Sequence, residues 1–143
     1  MGALGNRLAG GRCSVHGSNL KIRTPVGAVV YPDAFVRCGP LDDDATEVDD
    51  PVLVVEIQSP STKRYDMNEK RWAYQSLATL QHMLFLSPRR CLVEVVTRQA
   101  DGRWLSTLVH RLDEPCRLEA LAIELPVAEL YAGTSVGSGG RAG

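Results

Sequence analysis

The stretch Pro51 to Lys70, PVLVVEIQSPSTKRYDMNEK, constrains the chain more than any other. Val52 to Gln58 is a short, β-branched apolar run bounded by Pro51 and by the turn signal Ser59-Pro60-Ser61, and it reads as a buried strand. Side chains alternate along a strand, so Glu56 and Gln58 point to one face while Val55 and Ile57 point to the other. A carboxylate in such a run is costly unless it is paired or binds a metal.

Ala34 to Arg37 reads as another strand, and Pro32 holds the residue before it extended. If the two strands are neighbours, Asp33 and Glu56 converge. Two carboxylates and a nearby backbone carbonyl make an oxygen-lined site for a hard divalent cation such as magnesium, which keeps several waters. A helix follows the turn, with Asp66 as N-cap and Glu69 as its reciprocal partner. Met67, Lys70, Tyr74, Leu77 and Ala78 share one face of it, which sets Lys70 on the inward stripe. A lysine so placed can position a water, orient a phosphate or stabilise developing negative charge.

The order PD, PxLVVEIxSPST, YDxxxK and a tyrosine four residues later resembles the Uma-two family of restriction endonucleases, in the PD-(D/E)XK nuclease superfamily. The resemblance covers roughly Leu20 to Tyr131. It implies that Asp33 and Glu56 bind a divalent metal and that the Gln58 backbone carbonyl adds a ligand. Gln58 stands where the superfamily has its strand lysine, and Lys70 matches the position to which that lysine has migrated in the family. The implied activity is hydrolysis of DNA phosphodiester bonds with Mg²⁺, or Mn²⁺ in its place. Two departures accompany it. The N-terminal helix of the family is shortened or missing, and Ser87 stands where members often carry an aspartate.

At 143 residues the chain fits one domain with a single core. The expected class is α/β (α+β), a mixed central β-sheet flanked by helices in a restriction-endonuclease-like core. The expected layout is an irregular segment over 1–18, a domain over 19–132 and a disordered Gly/Ser-rich tail over 133–143. A net charge of −1 gives no large basic field for nucleic acid. Cys13, Cys38, Cys91 and Cys116 form no CxxC pair and no His cluster accompanies them, which argues against structural zinc; their spacing and the absence of a signal peptide favour reduced thiols in a cytoplasmic protein, with disulfide staples as the lesser reading. No apolar run approaches the roughly 20 residues of a membrane-spanning helix.

Leu20 to Ile22 is a predicted strand, and Met83 to Leu86 returns after the helix as a strand parallel to the central one. Leu92 to Thr97 and Trp104 to His110 are the arms of a predicted hairpin turning at Asp101-Gly102. Pro115 marks a break, and Ile123 to Leu125 with a short helix near Val127 to Tyr131 closes the sheet edge. The acidic loop Gly39 to Asp50 is read as a solvated connection, or else as a flap that attracts metal or repels DNA.

Blander readings stand beside the catalytic one. Glu56 can be a buried partner of an arginine, Asp33 a cap, Gln58 a strand-edge amide, and Tyr74 a packed ring with a bonded hydroxyl. Lys63 and Arg64 are phosphate contacts or solvated charges. Trp72 and Trp104 read as packing or interface residues. His16, His82 and His110 do not cluster, and Ser61 and Thr62 lack a His/Asp partner set. Other functions compatible with the chain are a catalytically inactive nucleic-acid-binding or regulatory module, and an oligomerisation domain such as a homodimer built through the Leu92 to His110 hairpin.

Overall fold

Short β-branched and aromatic runs separated by turns account for most of the chain, and they assemble around one large sheet. The computed structural model describes residues 2–58 and 64–132, and of residues 64–66 only the backbone. In chain order the elements are α1 (Gly2–Leu8), β1 (Cys13–His16), β2 (Lys21–Arg23), β3 (Val29–Val30), β4 (Ala34–Cys38), β5 (Glu47–Val48) and β6 (Leu53–Ile57). Then come α2 (Arg64–Gln75), β7 (His82–Leu86), β8 (Val93–Arg98), β9 (Trp104–Val109), β10 (Pro115–Leu118), β11 (Ile123–Pro126) and α3 (Val127–Leu130).

The six-stranded sheet runs β1-β4-β6-β7-β8-β9. Only β6 and β7 are parallel, joined through α2, and the other neighbours are antiparallel. The fold is therefore mixed α+β with a mixed central sheet, as the βαβ pattern predicts. Gly102 turns the β8–β9 hairpin with φ of 88°, a conformation that favours glycine. A three-stranded sheet β3-β2-β5 and a β10–β11 hairpin complete the strands.

Alternation divides the apolar residues between two faces. Val36, Leu53, Val55, Leu84 and Val95 pack under α1, β10–β11 and α3. Phe35, Val54, Met83, Phe85 and Val96 pack under α2 and the small sheet. Both faces of the central strands are covered, so β6 and β7 read as nearly continuous apolar runs.

Four expectations are corrected. The segment 1–18 is not irregular, since it holds α1 and β1. Leu4 and Leu8 lie four apart and are buried against the rest of the molecule, and this burial outweighs the weak helix propensity of the neighbouring glycines. Cys13 and Cys38 are not reduced thiols: they face each other across β1 and β4 and form a disulfide, while Cys91 and Cys116 are free. Pro115 opens β10 rather than breaking the chain, and β11 pairs with β10 instead of closing the central sheet. Proline is tolerated at the first position of a strand. Finally, α2 begins at Arg64, so Asp66 lies inside the helix rather than ahead of it. The side chain of Asp66 lies outside the described residues, as do the Ser59-Pro60-Ser61 turn, Thr62, Lys63 and the 133–143 tail. No described helix is long and apolar enough to cross a membrane.

Candidate active site

Antiparallel pairing of β4 with β6 sets Ala34 opposite Val55, so the residue before Ala34 adjoins the residue after Val55. Those residues are Asp33 and Glu56. Asp33 is exposed at the mouth of the sheet, and its Oδ2 accepts the Ile57 backbone N–H at 2.7 Å. This bond ties the carboxylate to the end of β6. Glu56 is only 3% exposed and points toward α2, as alternation from Val54 requires.

A buried carboxylate must find partners, and α2 supplies two from one face. Lys70 Nζ lies 3.3 Å from both Glu56 oxygens, and the Tyr74 hydroxyl donates to Oε2. Lys70 and Tyr74 are four residues apart, which stacks them on the same helix stripe. Burial raises the Glu56 carboxyl above its ordinary range, against the opposing pull of the Tyr74 bond and Lys70, while Asp33 pushes it further up. Tyr74 is fully buried, and its hydroxyl is pushed well above the ordinary phenol range by that burial and by the Glu56 charge.

A second carboxylate in the same row was not visible from sequence. Glu56 pairs with Phe85 on β7, and Phe85 pairs with Glu94 on β8. Arg71, next to Lys70 on α2, forms an ion pair with Glu94 and stacks its guanidinium 3.9 Å from the Phe85 ring centre. Ser106 donates to Glu94 Oε2 at 2.6 Å. Burial works to raise the Glu94 carboxyl, but the bonds from Arg71 and Ser106 prevail and hold it below its ordinary value. The usable signal was a lone acid in the apolar run Val93 to Val96 together with two successive cations on the helix.

Gln58 is half-buried at the end of β6, where its N–H donates to Leu86 O at 2.8 Å. The acidic loop between β4 and β6 lies at the opposite end of the sheet from Asp33. Within it, Asp50 accepts from Arg37, and Glu47 on β5 pairs with Arg23. His16 sits on β1, and His82 bonds Thr97 and the Ala120 N–H at the far end of β7. Trp72 is 61% exposed, and Trp104 lies under the Arg98 guanidinium. A cavity of about 360 Å³ opens beside Lys70, lined by Val29, Val30, Tyr31, Glu69 and Ala73.

Among the described residues no three His, Cys, Asp or Glu side chains gather as a metal-ligand group. The donors that do adjoin are the two carboxylates, on neighbouring strands. Hard oxygen donors in so small a number fit magnesium, which takes one or two carboxylates and retains waters. The pair does not suit zinc, for which nitrogen and sulfur ligands would be expected.

The model of the Uma2 family, described as "Putative restriction endonuclease", matches residues 1–128. An uncharacterized protein of Synechocystis sp., slr1290, is 34% identical over 131 residues, which span 90% of this chain and 68% of that protein. The crystal structure of a putative nuclease of the DUF820 group from Anabaena variabilis superposes with a TM-score of 0.71 at 15% identity, covering 90% of this chain and 74% of that one. The latter likeness is one of fold.

Proposed function

The chain belongs to the Uma2 family, and from that premise we propose that it is a magnesium-dependent endonuclease that hydrolyses DNA phosphodiester bonds. The observation that carries this reading is the Lys70 ammonium 3.3 Å from both oxygens of a buried Glu56, with Asp33 held at the adjoining strand end. Asp33 and Glu56 would hold the metal, and the main-chain carbonyl of Gln58 would add a third oxygen. When bound, the cation supplies a water of lowered pKa and polarises the scissile phosphate. Lys70 leans from the helix toward the same point and stabilises charge developing at the attacked phosphorus. Tyr74 and Lys70 hold the rotamer of Glu56, which would present the carboxylate to a bound cation.

Cleavage of supercoiled plasmid with magnesium or manganese tests the reading, with Asp33→Ala, Glu56→Ala and Lys70→Ala each checked for folding. Nicking by wild type that disappears in all three folded variants is the expected result. A folded wild type that nicks nothing under either metal would instead mark a catalytically inactive module of the same fold.

A homodimer built through the β8–β9 hairpin also has an observation behind it. β9 is the outer strand of the sheet, and Leu105 and Leu108 on it are 56% and 60% exposed. Sedimentation of wild type against Leu105→Lys/Leu108→Lys checks this: a dimer that the variant splits is expected, and a monomeric wild type ends the idea.

A further inference from the structure

The parallel pairing of β6 with β7 sends β7 out of the sheet at the end where Asp33 and Glu56 stand. Leu86 is the register partner of Ile57, and the next residue starts a loop over 87–92. Two strand spacings separate β4 from β7, about 10 Å. The base of this loop is fixed. Ser87 N–H donates to Leu92 O at 2.9 Å, and the Tyr131 hydroxyl lies 2.6 Å from Ser87 O and 3.0 Å from Leu92 O. Tyr131 is 3% exposed, so the loop is held from beneath by a buried residue. Pro88 further restricts its backbone.

Arg89 and Arg90 stand at the tip of this loop. Both are exposed, and neither has a carboxylate partner among the described residues. Several cations elsewhere are committed: Arg37 to Asp50, Arg98 to the Leu77 and Leu80 carbonyls, Arg111 to Asp113, while Arg12, beside the acidic loop, is exposed and also without a carboxylate partner among the described residues. The charge is also graded along the strands. The far end carries Asp42, Asp43, Asp44 and Asp49 beside Arg12 and the Arg37–Asp50 pair, an acidic balance that repels a polyanion, while Arg89 and Arg90 stand at the end with the carboxylate site.

We propose that Arg89 and Arg90 grip the DNA backbone at phosphates neighbouring the one presented to Asp33, Glu56 and Lys70. This deepens the nuclease reading and rests on it. The contact is to phosphate rather than to bases, so it sets register on the strand and carries no sequence preference. A loop pinned at its base suits this task, because less entropy is lost when the guanidinium groups engage. A net charge of −1 is compatible with such a contact, because the binding surface is local and the acidic loop lies at the other end of the sheet.

The test is binding of a fluorescein-labelled DNA duplex followed by anisotropy in EDTA, where no cutting occurs, across a series of salt concentrations. Each phosphate contact contributes about 0.9 to the slope of log affinity against log salt. Arg89→Ala/Arg90→Ala should therefore flatten the wild-type slope by about 1.8 and weaken binding at least tenfold at low salt. Arg89→Lys/Arg90→Lys should keep the slope, and Arg103→Ala, at the far end, should match wild type. A folded double variant with the wild-type slope overturns the proposal, as does a wild type that binds no duplex. Wild type that binds with the expected slopes but never cuts when magnesium is added leaves the arginine contact standing and removes the nuclease reading.

Discussion

Glu56 and Glu94 flank Phe85 in one row across three strands and take their cations from consecutive residues of one helix, yet their carboxyl groups shift in opposite directions. Glu94 is partly open to water and receives a guanidinium and a hydroxyl, so its charged form is favoured. Glu56 is almost wholly buried and receives an ammonium at 3.3 Å with a phenol, which does not repay the loss of water. On the proposed function, the difference separates a structural pair from a metal site. Glu94 is satisfied as it stands, whereas Glu56 would gain most from a further positive charge, which a divalent cation would provide.

The largest expected effect that could break this contrast is on cleavage. Glu56→Gln should lower plasmid nicking by about 10²- to 10³-fold, while Glu94→Gln leaves it within a few fold. Equal losses in two folded variants would make both carboxylates part of the site. Lys70→Ala should cost about 10²-fold in nicking with the fold intact. Unfolding of that variant on a urea melt would make the lysine structural.

Stability should run the other way. Glu94→Ala should lose about 1–3 kcal/mol in urea unfolding, because it strands Arg71 and removes charged hydrogen bonds. Glu56→Gln should lose nothing at neutral pH, since it removes a buried charge that is imperfectly compensated.

The pH dependence sharpens the same point with a smaller signal. Unfolded, both groups titrate near 4.5. The folded carboxyl of Glu56 is raised, so its contribution is fully present below 4.5 and is lost as pH rises through the folded value. That of Glu94 is lowered, so its contribution is present above 4.5 and is lost as pH falls through the folded value. Wild type minus Glu56→Gln should therefore show stability falling from acid toward neutral pH, and wild type minus Glu94→Gln stability falling toward acid pH. Curves of the same sign would refute the contrast.

Much of this was legible in the sequence. The parallel β6–β7 pair follows from two apolar runs around one amphipathic helix, and the β8–β9 hairpin from Asp101-Gly102 between alternating strands. Lys70 and Tyr74 at four-residue spacing place two polar groups on an inward stripe whatever the packing. Glu94 was not legible as a partner of Arg71, because their meeting depends on the width of β7 between them. The Cys13–Cys38 bond depends on a β1–β4 register 25 residues apart in sequence. The helix at Gly2–Leu8 exists through burial of Leu4 and Leu8 against distant elements, which overrides local propensity.

The chain by itself determined period, turns and the faces on which its polar residues lie, because those follow from local backbone geometry that each residue carries with it. Only the tertiary structure decided which of two neighbouring glutamates is compensated and which is left short of charge. That outcome depends on how much water each carboxylate loses and how close a cation comes, and both are set by strands and a helix brought together across sequence.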